Sequence, residues 1–204
     1  LALGVIGLNV PYAAFYYFEN PRTMIDSLTD NMKTKRIEID SIDFQGPYFE
    51  DLDNRMKNIH LIRSWKTRAI MLKPDGSVAV PAELLYKKNV LTIRGSFRPV
   101  TKLNIDMIEQ GKRSFYELED VTPENTIAIA EISLNDVKGN DANFSEQDII
   151  QRVQVLHSLG YHVMISDYTR YFSLRAYFRQ YTNLNIGIVV GMINVKQIFD
   201  EDFY

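Results

Sequence analysis

The sequence predicts an α/β fold in which a parallel β-sheet is covered by helices on both faces, preceded by an N-terminal α+β portion that contains a β-hairpin. After residue 88, short apolar runs alternate with amphipathic stretches of helical length. Before it, Asp75-Gly76 separates two apolar runs, which is a hairpin signal. With 46% hydrophobic and 24% charged residues, the chain has an ordinary globular composition.

The first segment of the chain is a dense aromatic run over residues 12–18, which ends shortly before Pro21. Proline suits the first turn of a helix, so we predict a helix over residues 22–32. The aromatic side chains fit a core or an interface with flanking chain; a ligand-stacking platform is the alternative. The chain lacks an initiator Met and ends without a helix terminator. We therefore expect a piece of a longer protein, truncated at its C-terminus.

The rest of the N-terminal portion, residues 1–87, combines strand and helix patterns. Residues 36–44 alternate apolar and acidic side chains with a period of two, which predicts a strand with one wet face. Residues 49–61 have apolar side chains at helical spacing. The hairpin joins residues 69–72 to residues 78–80. A boundary is expected near residue 87, and the function of this portion is unknown.

Residues 88–204 are predicted to form the second domain. Strand and helix patterns alternate here in the order expected of right-handed crossovers. The predicted strands cover residues 89–94, 126–132, 161–166 and 186–190, and the predicted helices cover residues 101–116, 145–159 and 169–181. Ser145 is the expected N-cap of the second helix and Gly160 its stop.

Composition and charge argue against several classes of function. A formal net charge of −3 disfavours nucleic acid as a partner. The chain has no cysteine, and its three histidines are dispersed, so no metal site is expected. No run approaches the ~20 apolar residues of a membrane helix. We expect a cytoplasmic protein without a membrane partner, which forms a homo-oligomer or packs against flanking regions of a longer chain.

The turn after the first parallel strand carries the main functional signal. It reads Gly95-Ser96-Phe97-Arg98-Pro99-Val100-Thr101 and leads into a helix. In open parallel sheets, ligands bind at the carboxyl ends of the strands. A glycine there permits close backbone approach, and the helix start offers amide donors to an anion. Arg98 and Lys102 supply positive charge, although a solvated basic surface would have the same sequence.

This turn resembles the Gly-Ser-Phe-Asn-Pro-x-Thr-x-x-His signature of the nicotinate and nicotinamide mononucleotide adenylyltransferases. Gly95, Ser96, Phe97, Pro99 and Thr101 match it in residue type. The resemblance implies a Rossmann-like, nucleotidylyltransferase-like domain that binds ATP with Mg²⁺. It also resembles uncharacterised bacterial proteins that carry arginine at the fourth position. Arg98 stands where the adenylyltransferases have asparagine, and Asn104 stands in place of the phosphate-binding histidine.

Weaker similarities extend along the domain. Arg152 followed by Val155 looks like the family's arginine-containing helix, and Gly191 looks like the glycine of its Gly-x-Asp, where Ile193 replaces the aspartate. Ser166 and Asp167 follow the third strand and are candidate ribose or base contacts; a helix cap is the simpler role for Asp167. The aromatic and arginine residues of 168–181 fit either a base-stacking helix or a packed one.

The sequence leaves two functional hypotheses. In the first, a nucleotide binds at Gly95, Ser96, Phe97, Pro99, Thr101, Ser166, Asp167 and Gly191. Arg98, Lys102 and Asn104 then serve adenylyl transfer from ATP to a nicotinate or nicotinamide mononucleotide. In the second, the domain is a catalytically inactive nucleotide sensor or protein-interaction module of the same fold within a larger protein. Asn104 cannot carry the positive charge of a histidine, so enzymatic turnover is undecided.

Overall fold

The computed structural model describes residues 2–32, 37–134 and 145–199. These residues form one six-stranded β-sheet, eight α-helices and a short 3₁₀ turn. The strands are β1 Ala69–Leu72, β2 Val78–Ala79, β3 Asn89–Arg94, β4 Thr126–Ser133, β5 His162–Ser166 and β6 Ile186–Val189. The helices are α1 Ala2–Tyr16, α2 Pro21–Ser27, α3 Asn54–Arg63, α4 Pro81–Leu84, α5 Lys102–Phe115, α6 Glu146–Ser158, α7 Tyr171–Arg179 and α8 Met192–Ile198, and the 3₁₀ turn is Pro47–Phe49.

The sheet is mixed and mostly parallel, in the order β2-β1-β5-β4-β3-β6. Strands β3, β4, β5 and β6 are parallel, which confirms the predicted α/β class. The predicted hairpin is also confirmed, with Gly76 at φ +86° in its turn. Strand β1 pairs with β5 in antiparallel fashion, from Ala69 opposite Ser166 to Leu72 opposite Val163. Strands β1 and β2, from the predicted N-terminal portion, therefore form one edge of the same sheet.

Helices cover both faces of the sheet, as predicted. Alternate residues of each strand point to opposite faces, so Ile129 and Ile132 in β4 belong to different clusters of core residues. One cluster packs the sheet against α3, α5 and α6. The other packs it against α7 through Leu174, Tyr177 and Phe178. Burial on both faces explains why these strands are apolar at nearly every position.

The predicted strand over residues 36–44 is wrong for the described residues 37–44, which form no strand. Two asparagines of α3 take the place of a neighbouring strand. The Asn58 side chain accepts from the amide of Ile42 at 3.0 Å and donates to its carbonyl at 2.7 Å, and Asn54 does the same for Phe44. Side-chain amides can hydrogen-bond to the N–H and C=O groups of an extended segment, as a neighbouring strand would. The alternation of apolar and acidic residues does not distinguish the two arrangements.

The aromatic run lies in and just after α1, and most of this helix is exposed. Ala13 is its one buried residue, whereas Leu3 and Phe15 expose 79% and 75% of their surface. The Asn9 side chain donates to the carbonyls of Leu28 and Asp30 and so ties α1 to the end of α2. Among the described residues, no helix combines the length and apolar character needed to cross a membrane.

Candidate functional site

The candidate site lies where the order of the parallel strands reverses. From β3 the chain moves to β4 and then β5 on one side, and it returns to place β6 on the other side of β3. The carboxyl ends of β3 and β6 therefore border the crevice at which open α/β sheets bind ligands. The segment of residues 95–101, here called the β3 loop, leaves β3 at this crevice and leads into α5.

The β3 loop owes its shape to Gly95 and Phe97. The Phe97 ring is buried in the core, with its backbone at φ +48°. A Cβ atom on Gly95 would lie 3.2 Å to 3.3 Å from three atoms of that ring. Gly95 thus accommodates the chain's own aromatic ring. Ser96, Arg98, Pro99 and Thr101 are exposed, so the loop presents these residues to solvent.

A capping box closes the start of α5. The Asn104 side-chain oxygen accepts from the Thr101 amide at 2.9 Å and from the Thr101 hydroxyl at 2.8 Å, and the Thr101 hydroxyl accepts from the Asn104 amide at 3.3 Å. Asn104 therefore holds the helix cap. Helix geometry leaves the next amides, those of Lys102 and Leu103, without an intrahelical partner, and they are the donors available to an anion.

Arg152 of α6 binds the β3 loop through a hydrogen bond. It is 5% exposed, and its Nη1 donates to the Ser96 carbonyl at 2.9 Å. Its Nη2 donates to Asp148, one turn earlier on the same helix. Asp148 thus pairs with Arg152, and Ser145 caps α6 as predicted. The resemblance had singled out Arg152, and the structure brings it to the loop.

A closed polar network lies beside the loop at the carboxyl ends of β3, β4 and β5. Arg94 and Glu131 face each other across β3 and β4 and pair through two contacts of 2.6 Å and 3.1 Å. Ser166 donates to Glu131, and Arg94 donates to the Thr169 carbonyl at 2.9 Å. Glu131 was not among the predicted site residues, although an acidic residue inside an apolar strand signals a buried partner.

The remaining predicted site residues contact other parts of the protein. Asp167 is buried and accepts from Arg68 at 2.8 Å, and the Arg68 guanidinium stacks over Tyr168. Gly191 lies beside α5, because a Cβ there would come 3.9 Å from the methyl carbon of Met107. The side chain of Ile193, the expected aspartate position, lies outside the described part of the structure. The structure thus gathers the β3 loop, Arg152 and Gly191 near the carboxyl ends of β3 and β6.

Two lysines that lie close to the β3 loop in the sequence are at the other end of β3 in the structure. Lys87 and Lys88 precede β3, whereas the loop follows it, and six residues of strand span about 20 Å. Lys88 donates to the Glu124 carbonyl, and Lys87 stacks on Tyr86. Neighbours in sequence are therefore separated by the length of the strand.

Helix α7 shows the packed arrangement that the sequence offered as one alternative. Tyr177 and Phe178 are buried against the sheet, and burial raises the pKa of the Tyr177 hydroxyl far above its ordinary value. Phe172 and Arg175 are exposed. The aromatic residues of this helix thus serve mainly to cover one face of the sheet.

The two histidines with shifted pKa values, His157 and His162, lie near the amino-terminal end of β5, on the side of the hairpin turn and away from the β3 loop. Burial lowers the pKa of His157, and Arg55 lowers it further. Burial also lowers the pKa of His162, with Asp75 opposing. A cavity of about 500 Å³ opens nearby, lined by carboxylates that include Asp43 and Asp53. In the described ranges, no group of three His, Asp or Glu side chains is arranged to hold a metal ion.

Comparison with family models, with curated proteins and with solved structures gives no match for this chain.

Proposed function

We propose that this chain is a Rossmann-like, nucleotide-binding domain that holds the phosphate groups of its ligand at the β3 loop and the start of α5. The observation that carries the proposal is the position of the loop at the reversal of strand order, between β3 and β6. The order β5-β4-β3-β6 corresponds to strands 3-2-1-4 of a dinucleotide-binding sheet, which are one half of that sheet and the first strand of the other half. The β3 loop follows the strand that corresponds to strand 1.

The groups in the loop fit a polyphosphate. The Lys102 and Leu103 amides point outward from the positive end of a 14-residue helix, and that end attracts anions. Arg98 and Lys102 are exposed beside them and add two positive charges. The described loop contains no carboxylate, so a magnesium ion would be held by the phosphates and by water. ATP with Mg²⁺ is therefore the ligand to test first.

The geometry favours nucleotide binding over turnover. Adenylyl transfer requires in-line attack at the α-phosphorus, aided by groups that neutralise the developing charge. Arg98 and Lys102 fit that task. Asn104 is neutral, and its carbonyl oxygen already accepts two hydrogen bonds from Thr101. Transfer to a nicotinate or nicotinamide mononucleotide therefore remains the second step of the proposal, to be tested by pyrophosphate release once binding is established.

The test is calorimetric titration of ATP, with and without magnesium, into the wild type and an Arg98→Ala, Lys102→Ala double variant. The proposal expects binding that the double variant loses. The matched control is Arg113→Ala with Lys73→Ala. It also removes one arginine and one lysine, but at the far end of α5 and at the hairpin. Equal binding by all three proteins, or none to folded wild type at millimolar ATP, would overturn the proposal.

A second candidate function is a protein-interaction module of the same fold, and α1 is the observation that favours it. Residues 2–18 contain no charged side chain, and most of α1 is exposed. A helix that is apolar on all sides is normally covered. Light scattering of the chain and of a Phe15→Glu variant tests this candidate: a concentration-dependent dimer that the variant abolishes supports it, and a monomeric wild type at all concentrations counts against self-association.

A further inference from the structure

Beneath the β3 loop, the buried guanidinium of Arg152 has an unused donor. Its Nη1 is held by the Ser96 carbonyl and its Nη2 by Asp148. The third nitrogen, Nε, is buried and has no hydrogen-bond partner among the described groups. Buried polar atoms almost always have partners, and an unpaired donor on a buried cation is costly. Arg152 therefore has the capacity to bind one more acceptor.

The carboxylate of Asp148, which pairs with Arg152, is the group that a ligand anion could displace. The Asp148 side chain is about a third exposed, whereas that of Arg152 is nearly inaccessible. Asp148 thus lies at the boundary between the buried guanidinium and solvent. A phosphate has more acceptor oxygens than a carboxylate, and guanidinium groups bind phosphate in a bidentate manner. An anion arriving at the loop can accept from Nη2 and Nε together.

We propose that Arg152 is an anion-binding residue of the β3 loop site, and that Asp148 occupies the place on its guanidinium that a phosphate group takes when ligand binds. The ligand class is a polyphosphate or a phosphate monoester. This inference rests on the proposed nucleotide site, because the Lys102 and Leu103 amides supply the other half of the anion's contacts. The hydrogen bond to the Ser96 carbonyl keeps the guanidinium next to the loop.

A competing carboxylate and a purely structural clamp make opposite predictions for Asp148→Asn. If Asp148 competes with the ligand, the amide variant binds anions more tightly, because the competitor and its negative charge are gone. If the Asp148 pair with Arg152 only maintains the loop, the variant binds anions no better than wild type. Asp106→Asn is the matched control, since Asp106 is an exposed carboxylate on α5 close to the same loop.

The experiment is calorimetric titration of tripolyphosphate, at fixed pH and ionic strength, into wild type, Asp148→Asn, Asp106→Asn, Arg152→Lys and Arg152→Met. We expect Asp148→Asn to tighten binding about three- to ten-fold and by more than Asp106→Asn, and Arg152→Met to weaken it about ten-fold or more. Arg152→Lys should fall between, because an ammonium keeps the charge without the planar fork. Circular dichroism establishes which variants are folded.

The outcomes separate this inference from the proposed function. Tripolyphosphate binding that Arg98→Ala with Lys102→Ala abolishes, but that Arg152→Met and Asp148→Asn leave unchanged, overturns the role of Arg152 alone. Weaker binding by Asp148→Asn, or the same gain in Asp106→Asn, also overturns it. Absence of binding to folded wild type overturns both. If Arg152→Met does not fold, Asp148→Asn decides the question, since its side chain is partly exposed.

Discussion

The ends of β3 and β4 carry charged groups in two contrasting arrangements. In the closed network, Arg94 and Glu131 are 6% and 0% exposed, and they share their hydrogen bonds with each other, Ser166 and Thr169. One loop away, Lys102 is exposed, and the buried Arg152 retains a donor nitrogen, Nε, without a partner among the described groups. The contrast shows two uses of charge at a strand end. A buried ion pair whose hydrogen bonds are all made maintains structure, whereas a charged group with an unused hydrogen-bond donor can still bind a ligand.

The largest expected effect is on the closed network. Glu131→Ala leaves the Arg94 guanidinium buried without its carboxylate, and removing one partner of a buried pair costs about 3–5 kcal/mol of the free energy of unfolding. Urea denaturation measures the loss. The exposed Glu119→Ala is the control and should change stability by less than about 0.5 kcal/mol. Equal, small changes in both variants would mean that the network does not stabilise the sheet.

The next effect concerns how α5 sits against β6. A Cβ on Gly111 would lie 2.4 Å from a methyl carbon of Val189, so Gly111→Ala forces the helix or that side chain to move. Overpacking of this kind costs about 1–3 kcal/mol by urea denaturation.

Gly4→Ala in α1 is the opposite case and the control. A Cβ there has open space, and alanine favours the helix by about 0.5–1 kcal/mol. If Gly111→Ala stabilised the protein as Gly4→Ala does, α5 would not be closely packed against Val189 of β6.

Asn104 sharpens the contrast at the open loop. Asn104→Ala removes one of the two acceptors of the capping box, the side-chain oxygen that accepts from the Thr101 amide, and should cost about 1 kcal/mol. Asn104→Asp keeps the acceptor and suits the positive end of the helix, so its stability should stay within about 0.5 kcal/mol of wild type. The added charge should nevertheless weaken ATP binding in calorimetry. ATP affinity that is unchanged in a folded Asn104→Asp protein would place the anion away from α5.

The smallest effect is expected near the amino-terminal end of β5, where His157 and His162 lie. Burial lowers the pKa values of His157 and His162, so the unfolded chain takes up protons first as the pH falls below 6.5. Stability from these groups is complete above that pH and declines below it. Chemical denaturation between pH 7.5 and pH 5.5 should show a shallower decline for His157→Gln with His162→Gln. An identical slope in both proteins would contradict this assignment.

Much of the fold followed from the sequence because its signals are local. Alternation of strands and helices, the Asp75-Gly76 turn and the Ser145 cap each depend on neighbouring residues, and all appear in the structure. Features that depend on distant partners were missed. The Glu131 pair with Arg94 spans two strands, and the Asn58 contacts that replace a strand link two segments.

The candidate site shows the same division. The sequence identified the β3 loop, but the capping role of Asn104 became evident only from its contacts with Thr101. Motif spacing predicts which residues lie near a ligand. It does not show which of their atoms are already engaged, and that decides what each residue can do.

The most direct test of the account is a titration of ¹⁵N-labelled protein with tripolyphosphate, followed by amide chemical shifts. The account predicts saturable shifts that are largest at the Lys102 and Leu103 amides and extend to Ser96, with the hairpin around Asp75 unaffected. Saturable shifts confined to other surfaces, or none at millimolar ligand, would contradict an anion site at the start of α5.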